Sequence, residues 1–151
     1  MSTQPTTSAP ATVRAFSDVS VGDALPSITV HVDRARLVQY AGASLDRNRI
    51  HWDEPFAKKV GLPDVIAHGM FTMGSAVTLV TDWVGDAGRV VEYGVRFTKP
   101  VVVPYETGAD IEVSGIVKAA DPETKRVTVE LTATADGSKV LGRALAVARL
   151  D

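Results

Sequence analysis

The 151-residue sequence contains no cysteine. Disulfides, thiolate metal centres and a cysteine nucleophile are thereby excluded. It has no excess of positive charge either: 16 Lys and Arg against 18 Asp and Glu leave a formal net charge of −2. Nucleic acid and anionic membrane, partners that favour a basic face, are not expected. No run is long and apolar enough to span a bilayer. Residues 1–12 are rich in Ser, Thr, Pro and Ala and lack the basic start and apolar core of a secretory signal. They read as a disordered extension, with the folded domain over residues 13–151 and a cytoplasmic location. Also missing are a Gly-Lys-Ser/Thr phosphate loop, a dinucleotide fingerprint, a Gly-x-Ser-x-Gly elbow and a metal-ligand cluster. Chemistry here has to run on Asp, His, water and backbone amides, without a bound cofactor or metal.

What is there suits one domain with a sizeable core, at 45% hydrophobic and 23% charged residues. Residues 25–32 predict a strand, with Ile28, Val30 and Val32 on one face and His31 facing solvent. Asp33 reads as the N-cap of a helix over 34–41, stopped by Gly42. A short helix is expected from Asp53, with Pro55 in its first turn and Gly61 past its end. Residues 69–84 carry Met70, Phe71, Met73, Ala76, Val77, Leu79, Val80, Trp83 and Val84 against one charge, Asp82. That composition predicts a helix buried on nearly all sides, with Met70 and Met73 in the core and Trp83 in core or interface. Strands follow over 90–98, 109–119, 125–135 and 139–150, with Asp136-Gly137 as a hairpin turn. The expected shape is an α+β domain, an antiparallel meander curled around one central helix.

Two stretches carry candidate chemistry. Asp46 and His51 are five residues apart, about 140° on a regular helix, so they converge only in irregular backbone. Residues 43–52 lack a helical period. An Asp and a His that meet can hold and polarise one water. By residue type alone, Asp46 also suits a loop cap and His51 a structural role. Ala67-His68-Gly69-Met70 opens the apolar helix, where free N-terminal amides and the helix dipole favour a carbonyl oxygen gaining negative charge. Gly69 allows close approach to the backbone, and His68 suits a cap or packing role.

These residues resemble the MaoC-like dehydratases, also called the (R)-specific enoyl-CoA hydratase family. Its signature is Tyr/Phe, then Gly-Asp-x-Asn-Pro-Ile/Leu-His, then a small residue six positions on. Here Tyr40 precedes Asp46-Arg47-Asn48-Arg49-Ile50-His51, with Ala57 in the small-residue place. Ala67 to Met70 resembles a second family motif, and Tyr93 to Pro100 a long strand ending at proline. The likeness is greatest to the HadB-type subunit of actinobacterial (3R)-hydroxyacyl-ACP dehydratases, over about residues 13–150. It implies a hot-dog fold, with short overhanging helices. It also implies a hydro-lyase that reversibly hydrates trans-2-enoyl thioesters of CoA or ACP. Asp46 and His51 match the catalytic pair, Gly69 the amide donor to the thioester carbonyl, and Asn48 the residue that brace the loop; His68 lies in the same motif.

Two signature positions differ. Leu45 stands in place of glycine and Arg49 in place of proline. Glycine accepts a positive φ that leucine adopts only at cost, and proline would have fixed the loop. An altered thioester chemistry is one consequence; another reading is a non-catalytic partner subunit, though such partners commonly lack the Asp/His pair. Arg47 and Arg49 read as a solvated face or as attractors of carrier phosphates. An exposed sheet edge predicts a dimer, homomeric or with a second hot-dog subunit, joined edge to edge.

Overall fold

The computed structural model describes residues 12–151. The expected extension lies outside that range except for Thr12. The elements run β1 (Ala24–Val32), α1 (Arg34–Ser44), α2 (Glu54–Lys59), α3 (Gly69–Val84), β2 (Val90–Phe97), β3 (Ala109–Asp121), β4 (Arg126–Ala135) and β5 (Ser138–Arg149). Single 3-10 turns occupy Phe16–Asp18, Arg49–His51 and Ala87–Arg89. Strand boundaries fall within two residues of those the alternating pattern predicts.

All five strands join one antiparallel sheet in the order β1-β3-β4-β5-β2. Only β3, β4 and β5 form a meander. The expectation of one continuous meander fails at β2, which crosses to the far edge and pairs with β5. Helix α3 returns the chain across the sheet before β2, and residues 98–108 carry it back to β3. On β4 the inward residues Val127, Val129, Leu131 and Ala133 are buried, and Val140, Leu141, Ala144, Ala146 and Ala148 join them from β5. The sheet curls around α3 in the hot-dog arrangement that the sequence implies. Leu79 of α3 comes so near the sheet that a Cβ on Gly115 would meet its side chain at 3.2 Å; glycine there permits the close approach.

Helix α3 buries one face: Thr72, Ala76, Leu79, Val80 and Val84, at the i, i+4, i+7 spacing of a stripe. It is not buried on nearly all sides. Met70 is 60% exposed and Met73 and Val77 are half-buried, because the sheet covers only one flank of the helix. Trp83 packs half-buried against the core. Helix α1 also outruns its expected stop. Gly42 lies inside it, and Leu45 supplies the left-handed C-cap at φ 63°.

Candidate active site

The site forms where the overhanging segment meets the N-terminus of α3. Capping turns fix the overhang. The Asp33 carboxylate accepts from the Arg36 amide at 2.8 Å and starts α1. After Leu45, the Asp46 carboxylate accepts from the Asn48 amide at 3.2 Å, and Asn48 Oδ1 accepts from the Ile50 amide at 3.2 Å. Two successive Asx turns thus replace helix, and Asn48 caps the 3-10 turn that carries His51. The Asp53 carboxylate accepts from the Phe56 amide at 3.1 Å and starts α2.

This irregular path brings Asp46 and His51 together. His51 Nε2 lies 3.9 Å from Asp46 Oδ2, too far for a direct bond but close enough for one oxygen atom to reach both. His51 Nδ1 lies 2.7 Å from the Ile66 carbonyl. A carbonyl only accepts, so Nδ1 carries the proton and the Nε2 lone pair faces Asp46. The His51 ring is buried, whereas half of the Asp46 side chain is open. Burial lowers the His51 pKa below its ordinary 6.5. The Ile66 bond opposes that, His68 adds to it and Asp46 opposes it, in decreasing order. The net effect is a neutral imidazole at neutral pH.

His68 lies under His51, with ring centroids 3.7 Å apart and planes at 23°. Its Nε2 donates to the Asp46 carbonyl at 3.0 Å. It occupies the N-cap of α3 without capping it, so no side chain of its own covers the first-turn amides. The N-terminal residue of that helix is Gly69. A cleft of about 420 Å³ beside it is lined by His51, Ile66, Ala67, Thr72, Phe97 and Lys99, among others. A Cβ on Gly69 would stand 3.2 Å from the Phe97 ring.

The five residues read from sequence therefore share one neighbourhood: His51 and Gly69 line the cleft, Asp46 faces His51, His68 lies beneath the His51 ring and Asn48 sits in the bracing turn. The two departures are absorbed differently. Leu45 keeps the left-handed backbone that a glycine would take, with its side chain 70% exposed. Arg49 does fix the turn, contrary to expectation. It holds Asp53 through Nε at 2.9 Å and Nη2 at 2.5 Å and lies over the Phe56 ring at 4.4 Å. His31 is exposed on β1, as expected, and pairs with Asp110 at 2.7 Å.

Several contributors escaped the sequence. The Ile66 carbonyl sets a tautomer, and no side-chain pattern announces a backbone acceptor. Phe97 and Lys99 come from the end of β2, some 45 residues downstream, and only the crossover brings them in. Asp46, His51 and His68 place ligand atoms within 4.8 Å of one another, so a metal has to be weighed. Both His51 Nδ1 and His68 Nε2 are spent on carbonyls. His51 Nε2 and a carboxylate oxygen of Asp46 remain facing each other, and the one nitrogen left on His68, Nδ1, is buried. The donor set suits acid–base work.

A curled antiparallel sheet around one helix defines a hot-dog domain. The chain matches the family model described as MaoC like domain over residues 3–136, and it belongs to that family. A 3-hydroxyacyl-thioester dehydratase X of Mycobacterium tuberculosis is 39% identical over 83 residues, which are 55% of this chain and 29% of that protein. An (R)-specific enoyl-CoA hydratase of Rhodospirillum rubrum is 32% identical over 128 residues, covering 83% of this chain and 85% of the relative. A solved MaoC-like dehydratase superposes with a TM-score of 0.90 at 47% identity, covering 94% of this chain and 43% of its own. The chain thus spans less than half of two of these relatives and most of the third. The relatives' names are those of hydro-lyases. Among the described residues, no helix is long and apolar enough to cross a membrane.

Proposed function

We propose that this domain reversibly hydrates trans-2-enoyl thioesters to (3R)-3-hydroxyacyl thioesters, with Asp46 and His51 as the acid–base pair. The observation that carries the reading is the 3.9 Å gap between Asp46 Oδ2 and His51 Nε2. It sets the Nε2 lone pair and a carboxylate oxygen around a space that fits one water. In the forward direction the water oxygen bonds to C3 and its proton passes to the pair. The C2–C3 electron pair moves toward the thioester oxygen, where the Gly69 amide and the α3 dipole stabilise the enolate charge. A proton returned from the pair to C2 completes the addition. The thioester carrier, CoA or ACP, is substrate and no resident cofactor enters. The names of the Mycobacterium and Rhodospirillum relatives support this reaction class.

The retained backbone at Leu45 favours this ordinary chemistry over an altered one, and the complete pair favours it over a non-catalytic partner role. Purified protein with crotonyl-CoA, followed at the enoyl absorbance band, tests it. Asp46→Asn and His51→Ala should each lower kcat by about 10²–10⁴-fold, the usual worth of a general acid or base. Activity unchanged in both variants would sink the reading. Activity only with a co-expressed hot-dog partner would make the enzyme a heterodimer. The dimer itself belongs to the proposal, through the open edge of β2, as does the cytoplasmic site of action.

A further inference from the structure

His68 is the buried titratable group that this acid–base scheme leaves without a task. It stands where a side chain ordinarily caps the first turn of α3, yet it makes no cap bond. The residue is 1% exposed, and its Nδ1 has no hydrogen-bond partner among the described residues. An orphaned interior nitrogen destabilises a fold, while Ser or Asp at an N-cap would stabilise it. Histidine is therefore a poor choice for the helix. Two of its side-chain contacts bear on the pair. Nε2 holds the Asp46 carbonyl at 3.0 Å. One ring face supports His51 at 3.7 Å between centroids, and Tyr40 of α1 packs on His68 at 4.8 Å. Tyr40 in turn meets Phe71 edge-on at 5.6 Å, which ties the stack back to α3.

We propose that His68 is a positioning residue for the Asp46/His51 pair: its hydrogen bond fixes the Asp46 backbone, and its ring is the platform that sets the plane of His51. The inference rests on the reading of that pair as the acid–base couple. By turning toward Asp46, the His68 side chain also leaves the first-turn amides of α3 uncovered for a substrate carbonyl. The titratable groups around His51 are Asp46 from the loop, His68 from the start of α3, Tyr40 of α1 behind His68, and Lys99 just past β2, which lines the same cleft. Two stacked imidazoles cannot both be cationic without strong repulsion. The hydrogen bond of His68 to the Asp46 carbonyl needs only its Nε2–H tautomer.

The test begins on the unaltered protein. Long-range proton–nitrogen NMR of the imidazoles should show protonated Nε2 on His68 and protonated Nδ1 on His51. The opposite tautomer on His68 overturns the proposal. His68→Gln keeps a donor and loses the ring; His68→Phe keeps a ring and loses the donor. With crotonyl-CoA, each should lower kcat by about 10–100-fold, the cost of slight misplacement. KM should stay within about threefold, and the acid limb of the kcat profile should move to higher pH in both. A variant that keeps kcat within about twofold and its acid limb in place, or that changes KM alone, also overturns it. If neither variant folds by circular dichroism, the tautomer on the parent decides. A parent with the stated tautomers but no activity on any enoyl thioester would instead sink the proposed reaction.

Discussion

Leu45 has φ 63° and a side chain 70% exposed. For a residue with a Cβ that conformation costs roughly 1–2 kcal/mol, and so exposed a side chain regains little by burial. Leu45→Gly should therefore leave the fold at least as stable as the parent, by up to about 1 kcal/mol in urea unfolding. At Gly69 the opposite holds: a methyl group would press on Phe97 at 3.2 Å. Gly69→Ala should reduce kcat/KM by about tenfold or more, and a smaller residue at position 97 should restore part of it. The pH dependence follows from His51. Its folded pKa lies below the ordinary 6.5 because burial disfavours the charged ring. The base is thus free at neutral pH, and kcat/KM should be flat there and fall only as pH drops through a value under 6.5. Stability has the matching sign. The unfolded ring takes a proton near 6.5 and the folded ring resists, so stability declines as pH falls through that window. An acid limb above 6.5 would contradict both statements.

At the scale of elements, Arg34 clamps the overhang. From α1 its Nη2 reaches Asp64 at 2.5 Å and Glu54 at 3.2 Å, and its Nε donates to the Val103 carbonyl at 2.9 Å. Arg34→Met would leave the Val103 carbonyl without its side-chain donor and the largely buried Asp64 carboxylate with only the Val65 amide, at a cost of about 2 kcal/mol, readable as a shifted urea midpoint at unchanged slope. Local pattern announced much of this level. The alternation of β4 named its inward residues, and Asp33 and Asp53 announced two helix starts. The Asp46–His51 pair was legible because residues 43–52 lack the helical period that would hold the two apart. Other features belong to the tertiary structure. Gly42 looks like a stop, yet α1 continues to a leucine whose left-handed backbone no propensity predicts. Met70 looks like core, yet no strand covers its side of α3. Strand β2 leaves the meander because a helix intervenes, and with it moved Phe97 and Lys99 into the cleft. No spacing rule carries information about such a crossover.

For the whole molecule, the strand order leaves β1 and β2 at the edges. Val91 and Phe97 of β2 and Met70 of α3 are exposed apolar residues, and an unpaired edge strand seeks a partner. Native mass measurement should find a dimer, and Val91→Lys should shift it toward monomer; a monomeric parent would refute the edge pairing. One further consequence concerns heat. The His51 proton rests on the carbonyl of Ile66, and Ile66 lies in a small clasp in which Ala67 and Val103 amides bond to Val101 and Val65 at 2.8 and 2.9 Å. That clasp is two short segments outside the main sheet, yet Val65, Ala67, Val101 and Val103 are all buried in the core. The acceptor that selects the His51 tautomer is therefore anchored by the same packing as the strands, and local opening is not expected to start there. Warming should extinguish catalysis and strand content together, read by activity and circular dichroism on one sample.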